Sequence, residues 1–129
     1  SRRVLRTRTT EVYLPAHDGE AGVLPGHGDF VGLLGTGVLR AAAEGHPRFV
    51  MLSGGLFTVE HGALTILAET AEAAEEIDRE KSAARVAEIE QIFADHAKYN
   101  PEDYECLTDD YNKHRARVDA CDRAGRDRG

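Results

Sequence analysis

The sequence predicts an α+β chain, with a small all-β module ahead of residue 70 and an antiparallel helical hairpin behind it. Three observations predict that split. Glycine punctuates the first half and then stops: of 13 glycines, only Gly125 and Gly129 lie beyond residue 63. Short runs of β-branched and aromatic residues alternate with those glycines, as strands alternate with turns. After residue 70 Ala, Glu, Lys and Arg take over, and apolar residues recur at helical spacing.

Taken in order, Glu11-Val12-Tyr13-Leu14 and Val38-Leu39-Arg40 read as short strands. Arg48 to Ser53 reads as a third, closed by a turn at Ser53-Gly54-Gly55. Leu56-Phe57-Thr58-Val59, the turn residues His61-Gly62 and Leu64-Thr65-Ile66-Leu67 read as a hairpin. Strands this short and this closely spaced suggest a small sandwich or barrel. Asp78 is placed to cap a helix running to about Ala97, with Val86, Ile89 and Phe93 on one face. Asn100-Pro101-Glu102-Asp103 announces a second helix: a capping Asn, Pro in the first turn, then acids at the positive pole. Tyr104, Leu107, Tyr111, His114, Val118 and Cys121 follow at alternating steps of three and four, a seam for another helix. The short link Ala97-Lys98-Tyr99-Asn100 makes the two helices antiparallel neighbours.

Composition narrows the function classes. Apolar residues make up 41% of the chain, enough for a core, and no apolar run reaches the roughly 20 residues of a membrane-spanning helix. Ser1-Arg2-Arg3, with Arg6 and Arg8 behind, is too basic for a secretory leader. The net charge is −7, while residues 113–129 carry a surplus of positive charge, so the body is more acidic than the total. An acidic body repels phosphate backbones and argues against nucleic acid as a partner. The basic end suits an acidic protein surface, or simply the negative pole of its helix. Cys106 and Cys121 on one helix lie about 22 Å apart at 1.5 Å per residue, beyond a disulfide's reach. Reduced thiols in a cytoplasm-like compartment fit.

The residues that could carry chemistry do not assemble into a motif. His17, His27, His46, His61, His96 and His114 are scattered without zinc-site spacing, so no metal is expected. Ser53 lacks the leading Gly-x of a nucleophile elbow. Gly26-His27-Gly28 and Gly35-Thr36-Gly37 complete no phosphate loop. The carboxylates of 69–80 read as a solvated helix entry. No catalytic residue is expected.

Two stretches carry a resemblance. Asp18-Gly19-Glu20-Ala21-Gly22-Val23-Leu24-Pro25-Gly26-His27 is an acidic turn running into a Gly-x-Leu-Pro-Gly-His pattern. Phe49-Val50-Met51-Leu52-Ser53-Gly54-Gly55-Leu56-Phe57-Thr58-Val59 follows, and then Leu64-Thr65-Ile66-Leu67-Ala68-Glu69-Thr70-Ala71. In this order and spacing they resemble the epsilon subunits of F-type ATP synthases, counterparts of the mitochondrial delta subunit. The likeness covers roughly residues 4–82; beyond that only the architecture agrees.

The resemblance implies a β-sandwich over residues 1–70, rotor-binding, and a regulatory two-helix hairpin over 71–129. It implies a non-catalytic central-stalk subunit that couples ion flow through the c-ring to ATP synthesis. The gamma subunit and c-ring would meet Glu20, Gly22, Leu24, Pro25, Gly26 and His27, with Glu20 at the tip of a Gly-flanked turn. The C-terminal helices would reach the catalytic alpha/beta head and restrain ATP hydrolysis, with Lys113, Arg115 and Arg117 as the cationic contacts. The chain would lie peripherally on the cytoplasmic face of a bacterial inner membrane, or in an organellar equivalent, held there only by the complex. Some family members bind ATP through Ile/Leu-Asp-x-x-Arg-Ala; here Ile77-Asp78-Arg79-Glu80-Lys81-Ser82 puts Lys81 where the bidentate Arg stands. Asp78 is then either a nucleotide contact or a helix cap, and no cofactor is required. A free-standing nucleotide-sensing module is the alternative function. The family also carries a strand ahead of the position of Ser1; without a counterpart, a sheet edge would stand open.

Overall fold

The computed structural model describes residues 3–8, 11–23, 28–42, 47–95 and 101–128. Within them the strands are β1 (Arg3–Arg8), β2 (Val12–Ala16), β3 (Gly19–Val23), β4 (Phe30–Leu33), β5 (Thr36–Ala41), β6 (Arg48–Glu60) and β7 (Ala63–Ala73). A 3-10 turn at Ala74–Glu76 leads into α1 (Arg79–Ala94), and α2 spans Pro101–Arg128. All pairings are antiparallel, in the order β1-β7-β6-β5-β2-β3, with β4 also on β6.

β6 shows why this sheet closes into a sandwich. It is one 13-residue strand, so the expected turn at Ser53-Gly54-Gly55 is corrected to a kink inside it. Gly54 and Gly55 take φ of 68° and 120°, left-handed values that L side chains avoid. A Cβ on Gly55 would collide with the Leu67 carbonyl oxygen. Glycine therefore serves a sharp twist between paired strands. The neighbouring edge breaks at the same level, where Leu34 N–H donates to the Gly55 oxygen at 3.0 Å and Gly35 N–H to the Pro15 oxygen at 2.8 Å. Across the kink the alternation changes face. Phe49 and Met51 point toward the helices before it, whereas Phe57 and Val59 point into the sandwich after it.

The interior is apolar, with Leu14, Val12, Val23, Leu52, Phe57, Val59 and Leu64 almost fully excluded from water. Phe30 meets Phe57 edge-on, ring centroids 5.6 Å apart. The hairpin of β6 and β7 turns at His61-Gly62, both at positive φ, as its sequence predicts. β1 is a strand the sequence pattern did not single out. It runs from Arg3 opposite Ala68 to Arg8 opposite Ala63, beyond β7 at the end of the strand order.

The helices also begin as predicted. The Asp78 carboxylate accepts the Lys81 N–H at 3.2 Å, capping α1. Residues 96–100, including the predicted capping Asn100, lie outside the described residues. Phe93 stacks on Tyr104, Arg85 pairs with Asp110, Ser82 meets His114 and Arg79 pairs with Asp122. The partners step in opposite directions, so α1 and α2 are antiparallel. α2 also docks on the sandwich. Ala116, Ala120 and Ala124, spaced four apart, bury against Val38, Phe49, Met51 and Ala74. Cys121 departs from the predicted seam, its thiol facing the Ala74 carbonyl oxygen at 3.7 Å.

Candidate functional site

Two surfaces and one cluster could carry function. The first surface lies on the outer face of β4, β6, β7 and β1. Leu33 is opposite Leu56, Leu56 opposite Leu67, and Leu67 opposite Val4, and directly paired residues share a face. Four aliphatic side chains thus form a row across four strands. Val4 is 64% exposed, Leu33 61% and Leu56 37%, and Val31, two residues along β4 on the same face, is 68% exposed. Contiguous exposed apolar surface of this kind is a candidate surface for a partner.

The second surface is the outer face of the edge strand β3. Glu20 is opposite Pro15 and Gly22 opposite Tyr13. The two-residue turn is His17-Asp18, so Glu20 sits on the strand just beyond it rather than at the tip. Its side chain is exposed. Gly22 leaves room for the Tyr13 ring, which a Cβ would approach to 3.1 Å. The Tyr13 hydroxyl donates to Glu11 at 2.7 Å, and that acceptor raises its pKa above the usual value. Leu24, Pro25, Gly26 and His27 lie outside the described residues.

The cluster sits where α1 begins and α2 crosses the end of β7. Arg117 grips Glu72 of β7 with two nitrogens, Nε to Oε1 at 2.6 Å and Nη2 to Oε2 at 3.4 Å. Next to it His114 lies 3.2 Å from the Ser82 hydroxyl and 3.3 Å from Asp110. Burial, then the Arg117 guanidinium, holds the His114 imidazole below its ordinary value. Ser82, His114 and Asp110 have the order of a hydrolase relay, but Ser82, in the first turn of α1, is 4% exposed. Its position is that of a packing contact.

Asp78, Lys81 and Arg117 do come together, around a cavity of about 330 Å³ that Glu72, Glu76, Ser82 and His114 also line. Its charge suits a nucleotide poorly. Glu72 already occupies Arg117, Asp78 caps α1, and Glu76 adds a further carboxylate. Lys113 and Arg115 are elsewhere: Lys113 pairs with Asp109 at 3.0 Å, and Arg115 lies over the Tyr111 ring at 5.9 Å. The three cations therefore form no common patch. Among the described residues no His, Cys, Asp and Glu side chains gather as a metal site.

Residues 1–74 match the family described as ATP synthase, Delta/Epsilon chain, beta-sandwich domain. The chain belongs to that ATP synthase delta/epsilon family. It is 42% identical over 83 residues to the ATP synthase epsilon chain of Solibacter usitatus, covering 64% of this chain and 62% of that one. With the epsilon chain of Geotalea uraniireducens it shares 38% over 102 residues, covering 79% and 72%. Among solved structures it superposes on a chain of the Euglena gracilis mitochondrial ATP synthase, OSCP/F1/c-ring, in rotational state 1. That match has TM-score 0.62 and 25% identity, over 88% of this chain and 68% of that one. An ATP synthase epsilon-type chain accounts for the sandwich followed by two helices. No described helix is long and apolar enough to cross a membrane.

Sequence reasoning missed the aliphatic row and the Glu72–Arg117 tether. Leu33, Leu56, Leu67 and Val4 look like ordinary strand residues until the register places them side by side. Glu72 and Arg117 are 45 positions apart, with no local signal linking them. Ala116, Ala120 and Ala124 could have been found from their spacing of four.

Proposed function

We propose that this chain is a non-catalytic central-stalk subunit of an F-type ATP synthase, coupling ion flow through the c-ring to ATP synthesis. Residues 1–70 form its rotor-binding part. The observation that carries the reading is the row Val4, Leu67, Leu56 and Leu33, a flat apolar strip suited to permanent contact with a neighbouring subunit. The gamma subunit is the partner assigned to it. Glu20 and Gly22, with Leu24 to His27 beyond, face the polar loops of the c-ring. Residues 71–129 form a regulatory hairpin that leaves the sandwich, reaches the alpha/beta head and restrains ATP hydrolysis. The whole is peripheral on the cytoplasmic face of the bacterial inner membrane.

The test is assembly. Leu33→Asp with Leu56→Asp places two charges in the strip while leaving the core intact. Co-purification with gamma should fall at least tenfold, with circular dichroism unchanged, because an isolated charge in a dry interface costs on the order of 2 kcal/mol or more. Undiminished capture of gamma sinks the docking assignment. In the same complexes, truncation after Asn100 should raise the ATPase rate; equal rates would remove the regulatory role.

A further inference from the structure

Arg117 is the one side chain that ties α2 to β7 by a two-pronged ion pair among the described contacts, and its guanidinium also touches His114. Arg117 Nη1 lies 3.3 Å from His114 Nδ1 and 3.5 Å from Nε2. The near-equal distances to the two ring nitrogens place Nη1 over the face of the imidazole, in line with neither lone pair. Asp110, 3.3 Å from Nε2, accepts the ring's single N–H. Nδ1 is then unprotonated and accepts from the Ser82 hydroxyl at 3.2 Å. The neutral ring fits; a protonated ring sets a second cation against Arg117.

We propose that His114 is a proton-sensitive latch: protonating Nδ1 puts a second positive charge against the stacked Arg117 guanidinium, drives Arg117 off Glu72 and frees α2 from the sheet. The proposal rests on the reading above, in which the hairpin can leave the sandwich.

Charges from every packed element decide the balance. Burial, Arg117 on α2 and Arg85 on α1 oppose the protonated ring, Asp110 on α2 and Glu72 on β7 favour it, and Glu76, Asp78 and Lys81 line the same cavity from the 3-10 turn and the start of α1. Arg85 also holds Asp110 at 2.8 Å, which dilutes the carboxylate's pull on the ring. The net shift is downward from 6.5. A group whose pKa falls on docking binds more protons when released. Docking is therefore at full strength above the ordinary value and is lost as the pH falls toward the lowered one. Acidification releases the hairpin.

The chain can be tested directly as the double variant Cys121→Ser, Glu60→Cys, with spin labels on exposed Cys106 and on the introduced thiol. From about pH 8 to about pH 5.5 the released population should grow severalfold. His114→Gln, which cannot gain a proton, should hold one distance across that range; His114→Lys should be released throughout. Release that ignores pH, or that stays pH-dependent in His114→Gln, overturns the latch and leaves the mobile-hairpin reading standing. No release at any pH, even in Arg117→Ala, overturns both.

Discussion

The sandwich and the hairpin dock reach burial by different means. The sandwich interior is made of Leu14, Leu52, Phe57, Val59 and Leu64, side chains that each contribute about 1.5–3 kcal/mol when removed from water. Where α2 meets the sheet, its own contribution is Ala116, Ala120 and Ala124, each with a single methyl. Those methyls face Val38, Phe49 and Met51, and the polar contacts beside them are Arg117 to Glu72 and a thiol near the Ala74 carbonyl oxygen. The contrast teaches where the molecule can move. The sandwich core separates only by unfolding, whereas α2 contributes three methyls and a few charge-sensitive contacts, and its release would expose Val38, Phe49 and Met51. In the proposed function, one half holds its shape on a partner and the other changes its position.

That comparison can be broken at its strongest point. Gly55→Ala should be the most damaging single methyl in the chain, because it strains a φ of 120° and strikes the Leu67 carbonyl in the paired strand. The expected loss is at least about 3 kcal/mol, read as a lower urea midpoint for the whole molecule. A midpoint within error of the parent would mean that β6 does not need its kink.

Ala120→Asp should act on the dock alone. Ala120 is fully buried, and a carboxylate there faces Val38, Phe49 and Met51 without a partner. The cost is capped by the docking free energy, since α2 can swing away, and should be about 1–3 kcal/mol. Amides of α2 should lose hydrogen-exchange protection while those of β6 and β7 keep theirs. Parallel loss in both would show that sandwich and hairpin unfold as one unit.

What the sequence revealed follows the range of the interactions involved. The His61-Gly62 turn, the Asp78 cap and the start of α2 near Pro101 were legible because each is fixed within a few residues. The kink at Gly54-Gly55 was misread as a turn, since glycine supplies positive φ to both and only the pairing across it tells them apart. β1 stayed hidden because its arginines mask the apolar alternation, and its partner, β7, lies some sixty residues downstream. The alanine face of α2 carries little hydropathy signal, so the seam drawn through Tyr104, Tyr111 and His114 described contact with α1 and left out contact with the sheet. Of the candidate site, Asp78, Lys81 and Arg117 were named and do line one cavity, but the carboxylates that occupy it come from β7 and the 3-10 turn. Glu20 was legible as exposed, though not as a strand residue.

The smallest expected effect sharpens the distinction between charges that tether and charges that decorate. Lys113 and Arg117 lie one turn apart on α2, yet their partners differ. Arg117, 19% exposed at its side chain, reaches across to Glu72 on another element. Lys113 pairs with Asp109 one turn back on its own helix, and that carboxylate is 61% exposed. A pair of this kind ties no elements together, is screened by salt, and is worth about 0.3–0.5 kcal/mol at most. Lys113→Ala should therefore leave the label distance and its pH response unchanged, and should lower thermal stability by less than about 0.5 kcal/mol, with the difference vanishing in high salt. Arg117→Ala in the same assay should release the hairpin at neutral pH. If Lys113→Ala released it equally, the general basicity of α2 would hold the dock, and the specific tether to Glu72 would not.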